Sequence, residues 1–256
     1  MIHSTAIIDK SAVIGQDVEI GPYAVIGENV TIGDGTFIGA HATIECAKIG
    51  QNCKIFSHAS IGAAPQDLKY AGEKTIAIIG DGTTVREFAT INRGTSASGQ
   101  TVVGKNCLIM TCAHVAHDCI LGYNCIIANC CAIAGHVEVG DGVVMGGLTA
   151  VHQFVKIGKN VVTGGGSMVS MDIIPYMQAQ GDRASLFGLN LVGLKRKRVP
   201  IAEIENIKHA YKILFASHLT LNDAVAKIEE ELSSSIYVKD IIDFIKKSQR
   251  GICRPK

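Results

Sequence analysis

The stretch VIGQDVEIGPYAVIGENVTIGDGTFIG, residues 13–39, sets an aliphatic residue before glycine at Ile14, Ile20, Ile26, Ile32 and Ile38, a period of six. A one-residue slip near Cys46 resets the register to Ile49, and Ile55 and Ile61 continue it. After an interruption the pattern resumes at Ile79, Val85 and Ile91. It then runs unbroken from Val103 through Ile109, Val115, Leu121, Ile127, Ile133, Val139, Met145 and Val151 to Ile157. Four residues after each aliphatic stands a small one, as at Val18, Ala24, Val30, Thr36, Ala42, Thr83, Ala89, Ala113, Val143, Thr149 and Val161. Period six fits neither an α-helix nor simple alternation, because both would move the apolar face within two repeats. It fits short strands joined by tight turns, with one large and one small inward residue per hexad and glycine where a bend needs positive φ or close approach. That is a parallel β-solenoid, a β-helix of hexapeptide repeats. Three hexads closing a triangular coil stack residues 18 apart, separated by the inter-strand spacing of about 4.8 Å.

The same register accounts for the cysteines. Cys53, Cys107, Cys119, Cys125 and Cys131 fall on the small inward position, where a thiol acts as a compact hydrophobe. Cys46, Cys112, Cys130 and Cys253 form neither paired CxxC units nor a disulfide frame, as expected in a reducing compartment. The composition agrees with a slender solenoid: 28 Gly, no Trp and 18% charged residues in 256, against about 25% charged in an ordinary soluble chain. Glycines and charges interrupt each apolar run before the 18 or so residues of a membrane span. MIHSTAIIDK at the start has neither a basic nor a continuous apolar region, so a cytoplasmic location is expected.

Two segments break the repeat, residues 63–78 (AAPQDLKYAGEKTIAI) and 93–100 (RGTSASGQ), and both read as loop insertions leaving a rigid scaffold. The solenoid is assigned to 1–190 and a helical C-terminal domain to 191–256. In the latter, Ile201, Ile204, Ile207, Tyr211 and Leu214 keep helical spacing after Pro200. Thr220 and Asp223 suggest a capping box, and Val238, Ile241, Ile242 and Ile245 line a third helix. The net charge of +1 argues against a general nucleic-acid binder, but it is unevenly divided. Residues 1–190 carry 11 Lys/Arg against 15 Asp/Glu, and residues 191–256 carry 13 against 8. The basic tail suits an acidic macromolecule or a polyphosphate.

Histidines gather in the middle coils at His114, His117, His136 and His152, all off the inward positions. Adding 18 to residue 117 gives Gly135, beside His136, and adding 36 gives Gln153, beside His152. Taken singly, such histidines are ordinary solvated surface residues. As a group they allow a metal site, since three His can hold Zn²⁺ with an open position, the arrangement of hexapeptide-repeat carbonic anhydrases; the spacings of 3, 19 and 16 do not match it closely. General-base catalysis fits better and needs no metal: an imidazole takes a proton from a hydroxyl attacking an acyl carbonyl. The Gly135 N–H, unobstructed by a side chain, could then receive the oxyanion.

The segments PQDLKYAGE (65–73), AHVAHDC (113–119), IAGHV (133–137), TAVHQF (149–154) and FGLNLVGLKRKR (187–198) together resemble the UDP-N-acetylglucosamine O-acyltransferases, which open lipid A biosynthesis. The similarity spans the chain. It implies a left-handed β-helix, the hand that crossover rules for open sheets would not choose, and a homotrimer with active sites between subunits. It implies transfer of a 3-hydroxyacyl group from acyl carrier protein to the glucosamine 3-hydroxyl of the UDP-sugar, with no cofactor beyond the carrier's own phosphopantetheine. His117 would be the base, assisted by Asp118, with Gly135 in the oxyanion hole. Asp67, Lys69, His114, His136, His152 and Gln153 would line the sugar and acyl sites. Asn190, Arg196 and Lys197 would hold the nucleotide, and Gly165 would set acyl length. Val192 stands where the family pattern has an acidic residue, and Lys197 where it has Arg. An N-acyltransferase of the same pathway, a zinc-dependent anhydrase and a non-catalytic repeat subunit are the alternatives. Product mass, metal dependence and absence of turnover, respectively, separate them.

Overall fold

The computed structural model describes residues 1–256. Twenty-seven short strands form three sheets. The first runs from Ile7–Ile8 to Met168–Val169 with nine strands. The second runs from Val13–Ile14 to Lys156–Ile157 with eight, and the third from Glu19–Ile20 to Ser185–Leu189 with ten. Consecutive strands visit the three sheets in turn, and all neighbours pair in parallel until Met177–Gln180 turns back antiparallel on Ser185–Leu189. The chain is therefore a triangular prism, a left-handed β-helix closed by a hairpin. Its coils keep the 18-residue period through His114↔Ala132 and Ala132↔Ala150, and the slip at Cys46 shows as Thr31↔Lys48, one residue short.

Both inward positions of the hexad are buried, the large one as at Ile20 and Ile38 and the small one as at Val18, Ala24, Thr36 and Cys53. Thiols fill the centre without bonding one another, and all nine cysteines are free. Apart from Gly62, whose φ is +83°, the glycine after the aliphatic serves close approach rather than positive φ. A Cβ on Gly33 would lie 2.7 Å from the Gly50 carbonyl carbon of the next coil. The left-handed backbone falls instead three residues after the aliphatic, on Asp17, Tyr23, Asn29, Asp118, His136 and Phe154 among others. Each corner thus carries one residue held in a conformation that Asn, Asp and His tolerate best.

Both insertions leave from one corner, between the first and second sheets. They span 64–75 and 93–99, shorter than 63–78 and 93–100, because Ile76–Ile79 and Gln100–Val103 pair as strands over their flanks. Ser60 pairs with Thr90, 30 residues on, and Thr90 with His114, 24 on, so the two coils exceed 18 by twelve and six residues.

Four helices follow: α1 (Leu191–Arg196), α2 (Ile201–Ala216), α3 (Leu221–Leu232) and α4 (Ile236–Lys247). Pro200 is the N-cap of α2, with fixed φ and no N–H to leave unsatisfied. Thr220 caps α3, accepting from the Asp223 N–H at 3.3 Å and donating to its carboxylate at 2.7 Å. The buried faces of α2 to α4 join the solenoid interior in one apolar cluster. Tyr176, fully buried, donates its hydroxyl to Asp240 on α4. The buried Asp172 accepts the Ser248 hydroxyl at 2.7 Å and the Lys156 N–H at 2.8 Å, tying the end of α4 to the last coil. No helix is long and apolar enough to cross a membrane.

Candidate active site

The corner from which both loops emerge also carries the chemistry. It stacks His117, Gly135 and Gln153 in one column and Asp118, His136 and Phe154 in the next. The backbone joins the columns: His136 N–H donates to the His117 carbonyl at 3.0 Å, and Phe154 N–H to the Gly135 carbonyl at 3.1 Å. The His136 ring lies parallel to Phe154 at 4.5 Å and edge-on to His117 at 5.1 Å.

His117 and Asp118 form a dyad. Nδ1 of His117 meets Oδ2 of Asp118 at 2.8 Å, with the imidazole 13% exposed and the carboxylate fully enclosed. An ionised carboxylate accepts from Nδ1–H, which leaves Nε2 as a lone-pair acceptor. Burial alone would raise the Asp118 carboxyl, but hydrogen bonds from Ser98, His117 and Thr95 outweigh it and hold the group at about 2. Asp118 is therefore ionised throughout the neutral range.

Gly135 lies directly against the imidazole. A Cβ there would sit 2.6 Å from Cε1 and 2.8 Å from Nε2 of His117, and the Gly135 N–H has no partner within the chain. An unpaired buried donor beside a base is suited to an oxygen that gains charge during reaction. His114 lies on the outward side of the first sheet, its Nδ1 2.7 Å from the Thr90 hydroxyl. Burial, then the nearby His117, push its pKa down, so it is neutral. His152 occupies a third column beside these and is exposed, its Nδ1 3.1 Å from the Gln153 carbonyl. Cys119, next to the dyad in sequence, faces the core, where burial pushes its thiol up to about 12 and removes it as a nucleophile.

His117, Asp118 and His136 bring three potential ligand atoms within 4.8 Å of one another. His117 Nδ1 and Asp118 Oδ2 are bonded to each other and Asp118 accepts further hydrogen bonds, the geometry of a proton-handling dyad.

The remaining sequence candidates make no hydrogen bond to the dyad. Asp67 and Lys69 sit on the 64–75 loop, where the Lys69 N–H donates to the Asp67 carboxylate at 3.0 Å. That loop is held by Arg93, which donates to the Tyr70 hydroxyl at 3.0 Å and the Gly62 carbonyl at 2.8 Å. Asn190 caps α1, accepting from the Gly193 N–H at 2.9 Å while its amide donates to the Asn160 carbonyl at 2.9 Å. Lys197 reaches the Asn160 side chain, and Arg196 is exposed beside it. Asn160 belongs to the corner between the second and third sheets. One prism face, roughly 15–20 Å of strand and turn, separates that corner from His117. Gly165 lies at the remaining corner, where a Cβ would meet only Gly147, its carbonyl oxygen at 3.3 Å and its nitrogen at 4.0 Å. Between this corner and His117 the outward residues of the first sheet are Ala132 and Ala150, followed by the exposed Met168 on the coil of Gly165, leaving a shallow strip. Thr95 and Ser98, which hold Asp118, went unrecognised in the sequence: they precede it by 23 and 20 residues and so fall outside the 18-residue column.

The prism is built of hexapeptide repeats, and residues 11–46 and 100–135 match the bacterial transferase hexapeptide family. Residues 172–253 match the second domain of the UDP-N-acetylglucosamine O-acyltransferases. The chain is 55% identical over 258 aligned residues to acyl-[acyl-carrier-protein]--UDP-N-acetylglucosamine O-acyltransferase of Trichlorobacter lovleyi, covering 99% of both. To the enzyme of the same name from Chlorobaculum tepidum it is 58% identical, covering 95% of this chain and 93% of that one. Its fold superposes on a UDP-N-acetylglucosamine acyltransferase from Bacteroides fragilis with a TM-score of 0.97 at 43% identity, over 99% of this chain and 100% of the other. The chain belongs to the UDP-N-acetylglucosamine O-acyltransferase family.

Proposed function

We propose that this protein transfers a 3-hydroxyacyl chain from acyl carrier protein to the 3-hydroxyl of the glucosamine ring of UDP-N-acetylglucosamine, the committing step of lipid A biosynthesis, in the cytoplasm. The observation that carries the mechanism is the His117–Asp118 dyad set against Gly135. His117 Nε2 accepts the hydroxyl proton as the sugar oxygen attacks the thioester carbonyl. The Asp118 carboxylate stabilises the imidazolium that forms, and the Gly135 N–H bonds the oxyanion. Collapse forms the ester and breaks the C–S bond, and the imidazolium returns its proton to the departing phosphopantetheine thiolate. The reaction balances without redox change, and the only prosthetic group involved arrives on the carrier.

The strip past Ala132 and Ala150 towards Gly165 suits an extended hydrocarbon, and Asp67, Lys69, His114, His136, His152 and Gln153 surround the sugar and the acyl head. Asn190, Arg196 and Lys197 lie at another corner, so a nucleotide touching them and a sugar touching His117 call for residues from two copies. This supports a homotrimer with sites between subunits. The exposed cations Lys195 and Arg198 suit the acidic carrier protein.

The test is incubation of the protein with UDP-N-acetylglucosamine and a series of 3-hydroxyacyl carrier proteins, with and without chelator, reading product mass. An O-acylated UDP-sugar formed equally well in both is expected. Failure of every donor, or loss of activity to chelator with recovery on zinc, would overturn the reading.

A further inference from the structure

The 93–99 loop supplies no group to the transfer just described, yet it is bound to the dyad more closely than any other part of the chain. The Thr95 N–H donates to Asp118 Oδ1 at 3.0 Å and the Thr95 hydroxyl to Oδ2 at 2.7 Å. The Ser98 N–H donates to Oδ1 at 3.2 Å. The Ser98 hydroxyl lies closest to Oδ1, with the Gln100 carbonyl its second neighbour at 2.8 Å. Asp118 in turn donates its own N–H to the Thr101 hydroxyl at 2.8 Å, on the strand that follows the loop. A carboxylate offers about four lone-pair directions. The loop occupies Oδ1 and shares Oδ2, and the one acceptor direction left points at His117 Nδ1.

Closing the loop does not require this arrangement. The Gly99 N–H already donates to the Thr95 carbonyl at 2.8 Å, and the Ala97 N–H to the Thr95 hydroxyl at 3.2 Å. A turn already closed by the backbone bond from Gly99 to Thr95 has no structural need of a buried charge belonging to a different coil.

We infer that Thr95 and Ser98 are positioning residues for the dyad: the loop is a cradle that fixes the plane of the Asp118 carboxylate and so holds His117 with Nδ1 protonated and Nε2 directed over Gly135. The inference rests on the reading of His117 as general base. Without the two hydroxyls the carboxylate keeps its backbone donors but is free to rock about Cβ–Cγ, and the imidazole rocks with it. The titratable groups around the pair are few. His136 Nε2 lies 3.8 Å from Asp118 Oδ2, His114 flanks His117, and Cys119 faces inward; the loop's one charged side chain, Arg93, is engaged with Tyr70, the Gly62 carbonyl and Glu45 instead. A change in the pH profile on altering the loop therefore reports on the dyad.

The experiment compares Thr95→Val, Ser98→Ala and the double variant with Thr95→Ser, in the full chain, using UDP-N-acetylglucosamine and a 3-hydroxyacyl carrier protein. The double variant should lose about 10- to 100-fold in kcat, part of the 10²–10⁴ that a general base contributes, with KM for both substrates little changed. The acid limb of kcat/KM should move to higher pH, because a carboxylate relieved of two donors binds a proton, its own or the imidazolium's, more tightly. Thr95→Ser, which keeps the hydroxyl, should restore both kcat and the limb. If the double variant does not fold, Ser98→Ala alone, leaving the backbone donors and Thr95 in place, carries the same comparison. An unmoved pH profile with only a lower melting temperature or a raised KM overturns the inference, as does a Thr95→Ser variant as impaired as Thr95→Val. A parallel His117→Ala variant separates the two levels. If it is inactive while the loop variants behave as wild type, the cradle alone is wrong; if it is active, the base assignment beneath it falls.

Discussion

Gly135→Ala is the most direct probe of the corner, because it adds one methyl group at a place where the structure gives the collision. The glycine has φ outside the left-handed region, so alanine meets no backbone objection. Its Cβ would stand 2.6 Å from His117 Cε1, where ordinary contact begins at 3.4 Å. The imidazole is held on the far side by Asp118, and it must retreat by about 0.8 Å. A misplacement of roughly 1 Å at a reacting group costs on the order of 10² in rate. We expect kcat for acyl transfer to fall by about that factor, with the KM for the UDP-sugar nearly unchanged. Overpacking should lower stability by about 1–3 kcal/mol, small enough for circular dichroism and hydrodynamic size to match wild type. Steady-state assays over both substrates give the answer. A Gly135→Ala enzyme with wild-type kcat would mean that the imidazole does not act from where it stands.

Three further outcomes are expected. Gly165→Met places a side chain at a corner where only Gly147 is near, and should shift the preferred donor to a shorter acyl chain with little loss of turnover on that donor; an unchanged length profile would locate the limit elsewhere. Asp118 has its folded pKa depressed to about 2 from 3.8, so it contributes stability that is fully present above pH 3.8 and is lost as the pH falls towards 2. Denaturant titrations across that window should show on the order of 1–2 kcal/mol of pH-dependent stability in wild type that is missing from Asp118→Asn; parallel slopes in the two proteins would contradict it. Charge reversal at Lys195 and Arg198, exposed and without acidic partners, should raise KM for the acyl carrier protein, with wild type losing its advantage as salt rises; salt-independent kinetics in both would assign the tail no part in docking.

The prism was legible because its signal is periodic. Every inward aliphatic and every small partner repeats six residues on, so burial of Ile38, Thr36 or Cys53 follows from counting. The same count placed Gly135 beneath His117, and the structure brings the two into contact. What escaped lacks a period. The left-handed corner residue is Asp17, Tyr23, Cys112, Leu148 or Phe154 by turns, so no residue type announces it. Glycine, the residue usually associated with that conformation, takes this corner position at Gly35, Gly82, Gly142 and Gly166, but most of the hexad glycines stand one position after the aliphatic, in the tight stacking. Thr95 and Ser98 reach Asp118 from a loop whose length breaks the count. Asn190 reads as a polar residue in a ligand motif, while its burial and its bonds to Gly193 and the Asn160 carbonyl also make it the clamp of α1. Short α1 itself, six residues with a glycine at its third position, had no helical spacing to reveal it.

A prism with an 18-residue coil imposes a spatial reading frame on the chain. One residue deleted within a strand between His117 and Gly135 would turn the side chains that follow it in that strand outward, whereas the coil that is one residue short at Cys46 takes up the loss at a corner and keeps Ile49 and Ile55 buried. An added stretch is harmless if it leaves and re-enters at a corner, as the twelve- and six-residue expansions do. The two expansions and the one-residue slip all fall on the edge between the first and second sheets. The two expansions on the edge that bears the dyad mark the places where this architecture admits new side chains without disturbing the stack beneath them.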